Sequence, residues 1–338
     1  MPVELISGSL HAEFPMGDAS RVGEARRHAA RLALECGLPE LEAGRLAIIV
    51  TELATNLIRH AVRGRLLIGG RPMQREVEVL AVDHGPGIPD VERCLADGYS
   101  TGGTPGTGLG AVLRLASDFD LHSSQPDGTL VLARVRAEAA TPAPSGICMA
   151  GISVPKPGER VCGDAWAIAL DGPRASLLVA DGLGHGPDAA EASAAAVEAF
   201  RAEPFAPLRR QIERIHARLR STRGAAVSLM LADDELGTIR TVGAGNVVGR
   251  LVTGIDDRTL LTQHGTAGVN MRSPEEITVP WPDHALLVVC SDGVETRWKP
   301  ELLRPVLGRD PALAAAVLLR EHGRGRDDAT VAVLRRKD

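Results

Sequence analysis

The stretch Glu76-Val77-Glu78-Val79-Leu80-Ala81-Val82-Asp83-His84-Gly85-Pro86-Gly87-Ile88 decides how the first half of this chain folds. Its first seven residues read as a strand, and Asp83 closes it. Gly85 and Gly87 let the backbone turn tightly behind that carboxylate. An aspartate at such a strand end can accept a hydrogen bond from an adenine amino group. Taken alone, Gly-Pro-Gly is an ordinary loop.

Working outward, a helix is predicted from about Pro39 to Val62, with Leu46, Ile49, Leu53 and Leu57 on one face. Glu52, Asn56 and His60 fall four apart and share another face. An asparagine oxygen can ligate magnesium on a triphosphate, and a carboxylate beside it can orient or deprotonate an attacking hydroxyl. Downstream, Gly106-Thr107-Gly108-Leu109-Gly110 opens a helix reaching about Ser117, and N–H groups at such an end attract phosphates. Asp18 can cap an earlier helix that Gly37 stops. Strands are predicted at Leu66–Gly69, Val77–Asp83, Phe119–His122 and Thr129–Val135, giving helices packed on one face of a mixed sheet.

Ala, Pro and small polar residues then replace the periodic pattern, so residues 137–146 read as a linker between domains 1–136 and 147–338. Beyond it strands dominate, with helices near Pro187–Glu203, Pro207–Ser221 and Pro311–His322, as in two stacked sheets with helices outside. Asp164, Asp181, Asp292 and Asp327 each fall at or beside a strand end. One Asp-Gly is a turn. Four convergent carboxylates repel unless cations sit among them, and two divalent ions bridged by Asp181 would also supply an activated water for attack on a phosphomonoester.

At 338 residues the chain has length for two such domains. A net charge of −5 and an aromatic content of 2% argue against nucleic acid as a partner. The five cysteines are odd in number and widely spaced, which suits reduced thiols. No signal-peptide pattern or membrane-length apolar run is present, so a cytoplasmic location away from the membrane is expected.

In combination, the first three motifs resemble the ATP-binding fold shared by histidine kinases, gyrase, Hsp90 and anti-sigma serine kinases (the GHKL family). The stretches Asp97–Gly103 and Arg114–Asp120 resemble its RsbT subgroup. The resemblance implies a GHKL α/β sandwich with Glu52 as catalytic base, Asn56 as magnesium ligand and Asp83 as adenine contact. Gly85, Gly87, Gly106, Gly108 and Gly110, with Thr107, would shape the ATP loops, and Thr129 would support Asp83. His28 and His60 are expected to be structural.

Asp181-Gly182-Leu183-Gly184-His185-Gly186 and Val289-Cys290-Ser291-Asp292-Gly293-Val294-Glu295 resemble metal-dependent type 2C protein phosphatases of the SpoIIE and RsbX branch. That resemblance implies an α-β-β-α sandwich. Asp164, Asp181, the Gly182 carbonyl, Asp292 and Asp327 would hold Mn²⁺ or Mg²⁺, with Asp327 rather than Asp328 as the ligand. Lys156 and Arg160 are candidates for holding phosphate.

The resemblances together imply a bifunctional partner-switching regulator. It would phosphorylate, or dock to, a STAS-domain protein of the RsbS/RsbR kind and would dephosphorylate the same partner, with one activity gated. The alternatives are an N-terminal domain that binds nucleotide and partner without turnover, and an anti-sigma factor that sequesters a sigma factor.

Overall fold

The computed structural model describes residues 3–7, 10–95, 108–137, 146–272 and 275–337. The chain divides into two compact units, His11–Pro142, and Met1–Leu10 together with Ala143–Asp338. The C-terminal break lies within the expected linker, but the N-terminal one was not expected. Strand β1 (Glu4–Ser7) pairs with Leu170–Ala167, so the opening residues belong to the second domain and not to the first.

The first domain contains β2 (Ala12–Pro15), α1 (Ser20–Glu35), α2 (Glu40–His60), β3 (Arg65–Arg71), β4 (Glu76–Val82), α3 (Val91–Leu95), α4 (Gly108–Leu115), β5 (Asp118–Ser124) and β6 (Gly128–Arg136). Its sheet runs β2-β3-β4-β6-β5, and every described pairing is antiparallel. The sheet is therefore not mixed: two hairpins, β3–β4 and β5–β6, join along β4 and β6. Asp18 Oδ1 accepts from Ser20 N at 2.8 Å ahead of α1, and Gly37 at φ +62° ends the turn beyond it.

The α2 stripe of Leu46, Ile49, Leu53 and Leu57 is buried with Leu66, Ile68, Val77, Val79, Ala81 and Val131. Glu78, on the opposite sheet face, is fully buried. It accepts from Arg71 Nη2 at 2.9 Å and Arg134 Nε at 2.7 Å and lies 3.1 Å from His11 Nε2.

The second domain adds to β1 the strands β7 (Ile147–Val154), β8 (Asp164–Asp171) and β9 (Arg174–Gly182), then helices α5 (Pro187–Ala202) and α6 (Leu208–Leu219). Next come β10 (Ala225–Asp233), β11 (Thr238–Ala244), β12 (Val248–Val252), β13 (Asp257–Leu260), β14 (Gly265–Thr266), β15 (Asn270–Met271) and β16 (Ile277–Pro280). The domain ends with β17 (Leu286–Cys290), α7 (Pro311–His322) and β18 (Ala329–Arg336). One sheet runs β1-β8-β9-β10-β11-β16, and the other runs β13-β12-β17-β18-β7.

Strand alternation divides the core. Trp166, Ile168, Leu177 and Val179 meet Leu287, Val289, Ala332 and Leu334 between the sheets. The intervening Ala167, Ala169, Leu178 and Ala180 lie under Ala192, Ala196, Phe200, Ile212 and Ile215 of α5 and α6. Helix α7 lies along β7 and β18 on the other sheet, completing an α-β-β-α sandwich.

Candidate functional site

In the first domain, Glu52, Asn56, Asp83, Gly87, Gly108 and Thr129 line one cavity of about 530 Å³. That volume suits a cofactor-sized ligand. The four-residue spacing on α2 turns Glu52 and Asn56 away from the buried stripe and into this space. Asp83 follows β4, and its Oδ1 accepts from Gly85 N. Its own N–H donates to Thr129 O at 3.1 Å. The hydroxyls of Thr129 and Ser123 are 2.9 Å apart, and Ser123 Oγ accepts from Ile88 N at 2.8 Å. Gly87 has φ +76°, and a Cβ there would lie 2.5 Å from the Ser124 carbonyl oxygen.

Gly85 and Gly110 are not among the lining residues: Gly85 lies against Asp83 Oδ1 and the His60 carbonyl, and Gly110 against the Leu95 carbonyl. Gly106 and Thr107 lie outside the described residues, as does the stretch Asp97–Gly103. Arg59, His60, Arg93 and Cys94 also line the cavity and were not foreseen as pocket residues. Helical spacing from Asn56 could have indicated Arg59. His28, by contrast, packs on Phe14 with ring centroids 5.2 Å apart, and burial holds its pKa below the usual histidine value.

In the second domain the sheet ends gather acidic groups. Asp164 and Asp181 are register partners on β8 and β9. Asp164 Oδ2 accepts from Ser291 Oγ at 2.6 Å, and that oxygen accepts from Thr330 N at 2.9 Å. Asp292, just past β17, accepts at Oδ2 from Asn246 Nδ2 at 2.7 Å. Asp327 Oδ1 accepts from Asp328 N at 3.0 Å. Asp328 Oδ1 accepts from Lys156 N at 2.8 Å, while its buried Oδ2 has no hydrogen-bond partner. Gly182 N donates to Gly163 O at 3.0 Å, and any Cβ at Gly182 would collide with the Ala189 carbonyl.

Burial pushes the Asp181 carboxyl up to about 9, and the charges of Asp164, Asp292, Asp327 and Asp328 push the same way. Asp164 rises to about 7, chiefly through burial, with the Ser291 hydrogen bond opposing. Asp292 is raised by burial and then by Asp327. These acids share one electrostatic neighbourhood. Even so, among the described residues no three His, Cys, Asp or Glu side chains meet at a single cation position. The orphaned Asp328 oxygen and the all-oxygen donor set fit hard divalent ions.

Lys156 contributes only its backbone N–H, and Arg160 is exposed, with no ion pair from either to these acids among the described residues. Asn246 and Ser291 escaped the sequence reading as partners of the acids, because each is far in sequence from the carboxylate it holds or is held by. No helix among the described residues is long and apolar enough to cross a membrane.

Residues 16–135 match the family described as histidine kinase-like ATPase domain, and residues 171–337 match Stage II sporulation protein E (SpoIIE). Serine/threonine-protein kinase RsbT of Bacillus subtilis (strain 168) is 34% identical over 111 residues, which are 32% of this chain and 84% of RsbT. A chain solved in work on the bacterial stressosome, a modular system adapted to control secondary messenger signaling, is 27% identical. It superposes with a TM-score of 0.53, covering 56% of this chain and 99% of that one. RsbX in complex with magnesium gives a TM-score of 0.52 at 21% identity, covering 58% of this chain and 98% of RsbX, and so shares the fold. Through its first domain the chain belongs to the RsbT family of histidine kinase-like ATPases, and it joins that domain to a SpoIIE-type phosphatase domain of the type 2C fold.

Proposed function

We propose that this chain is a bifunctional partner-switching regulator of the cytoplasm, acting on a STAS-domain protein of the RsbS/RsbR kind. The observation that carries the reading is the placement of Asp164, Asp181, Asp292, Asp327 and Asp328 at neighbouring strand ends of the two sheets, with Asp164 paired to Asp181 in register and tied to the β17 end through Ser291. The nucleotide-sized cavity lined by Glu52, Asn56 and Asp83 supports the opposing activity.

In the first domain Asp83, held by Gly85 N–H, receives the adenine amino group of ATP. Asn56 ligates the magnesium that accompanies the triphosphate. Glu52 takes the proton of a protein serine or threonine hydroxyl as that oxygen attacks the terminal phosphorus, and the bond from that phosphorus to the β–γ bridging oxygen breaks to release ADP. Gly108 lines the cavity at the start of α4, where helix N–H groups would meet the phosphates.

In the second domain Asp164, Asp181, Asp292, Asp327 and the Gly182 carbonyl hold Mn²⁺ or Mg²⁺. When bound, such ions neutralise the carboxylates and acidify water at the site. Ser291 and Asn246 orient Asp164 and Asp292, so their oxygens stay aimed into the cluster. Covalent linkage presents both domains to one partner, which makes gating of one activity necessary to prevent a futile cycle.

The test supplies labelled ATP and the STAS protein, then manganese and the phosphorylated STAS protein. Label transfer lost in Glu52→Ala, together with phosphate release lost in Asp181→Ala, is the expected result. ATP binding without transfer under any condition would reduce the first domain to a docking module. Recovery of a sigma factor in place of the STAS protein would make it an anti-sigma factor.

A further inference from the structure

Arg223 stands over the glycine-rich turn that follows Asp181, on a different loop from Arg324, whose charge acts on Asp292. Arg223 precedes Gly224, whose carbonyl accepts from Leu183 N at 3.0 Å, and the next residues pair with the metal strand: Ala225 with Gly182, and Ala226 with Asp181. This register fixes the 222–224 loop against the turn Gly182–Gly186. The Arg223 guanidinium reaches over Gly184: a Cβ built there would lie 3.4 Å from Nη1. Gly184, at φ +89°, leaves that approach open.

Asp188, in the first turn of α5, holds the other end of the fork at 2.6 Å, and both side chains are more than half exposed, at 53% and 60%. An exposed pair of this kind contributes little to stability, so it is readily exchanged for a stronger anion. A guanidinium presents parallel N–H donors that match two oxygens of a phosphate. Lys156 and Arg160 make no ion pair with the acidic cluster among the described residues.

We propose that Arg223 is the phosphate-binding residue of this site. It leaves Asp188 to take non-bridging oxygens of the phosphoserine or phosphothreonine, and so favours a doubly charged phosphomonoester over a diester. The proposal rests on the phosphatase reading for its substrate, but it makes a separate claim about anion binding.

The test measures binding of inorganic phosphate to the full-length manganese-loaded protein by calorimetry, beside KM and kcat for p-nitrophenyl phosphate and a phosphoserine peptide. Arg223→Ala is expected to weaken phosphate binding and raise both KM values by ~10- to 100-fold, with kcat changed far less, as for loss of a bidentate charged hydrogen bond. Arg223→Lys should recover part of the loss. Manganese affinity and melting temperature should stay at wild-type values, and Arg218→Ala, a remote exposed arginine paired with Glu198, should change nothing.

Unchanged phosphate binding in Arg223→Ala overturns the proposal, as does a parallel fall in manganese affinity. A wild-type chain that binds phosphate through Arg223 yet hydrolyses neither substrate upholds the anion site and removes the phosphatase reading. If wild type neither binds phosphate nor hydrolyses either substrate, both fail.

Discussion

Asn246 Nδ2 donates a 2.7 Å hydrogen bond to Asp292 Oδ2, joining the β11–β12 turn to the end of β17. The donor leaves the other carboxylate oxygen available to a cation and restricts rotation of the group. Asn246→Ala should therefore weaken manganese binding by ~10- to 100-fold, the usual cost of losing a partner behind a metal ligand. Calorimetric titration checks this, and an unchanged affinity would mean that Asp292 needs no such support.

Asp181→Ala and Asp292→Ala should each abolish manganese-dependent release of phosphate from a phosphorylated STAS protein. Both should keep or raise the melting temperature measured without metal, because each removes a carboxylate facing others. Wild-type hydrolysis in both variants would remove these residues from the metal site.

For the nucleotide cavity, Glu52→Ala and Asp83→Asn should separate chemistry from binding. Glu52→Ala should eliminate label transfer while ATP affinity stays within ~3-fold, as expected of a group that acts on the proton and not on the nucleotide. Asp83→Asn should weaken ATP binding by ~10- to 100-fold through loss of a charged hydrogen bond. Fluorescent-nucleotide titration distinguishes the two.

Gly87→Ala meets two obstacles, a φ of +76° and the Ser124 carbonyl oxygen 2.5 Å from the new methyl group. A loss of ~1–3 kcal/mol in the first domain is expected. Chemical denaturation followed by ATP titration should show both stability and affinity falling.

Glu78 links stability to pH. Burial opposes its ionisation, but Arg71, Arg134 and His11 outweigh that and hold its carboxyl well below the usual glutamate range. A depressed folded-state pKa means its contribution is complete above the unfolded value of ~4.3 and is lost as pH falls toward the folded value. Glu78→Ala removes one of the two buried carboxylates, Glu76 being the other, that face Arg71 and Arg134, and should cost ~1.5–3 kcal/mol, as for loss of charged hydrogen bonds. Its acid-unfolding profile should be flatter than wild type below pH ~4.3, where the wild type loses the ionised group.

Residue pattern alone made the larger elements legible, because each obeys one local rule. The apolar stripe of α2 and its second face carrying Glu52 and Asn56 follow from helical spacing. The placement of Asp164, Asp181 and Asp292 at strand ends follows from β-rich runs broken by glycine. Ile147–Val154 and Pro311–His322 occur with the expected bounds. β2 and β13–β16 carried no such signal, since strands of two to four residues are too short for alternation to register.

What local order determined, then, was the run of helices and strands and the residue types at their ends. Tertiary structure decided which distant segments share an edge: β1 with β8, an antiparallel first sheet where a mixed one was expected, Asn246 on Asp292, and Arg223 over Gly184. Each of these rests on hydrogen bonds or contacts between residues tens to more than a hundred positions apart. Such pairings are selected by which faces can be buried together and which backbone groups still need partners, and no local periodicity encodes that choice.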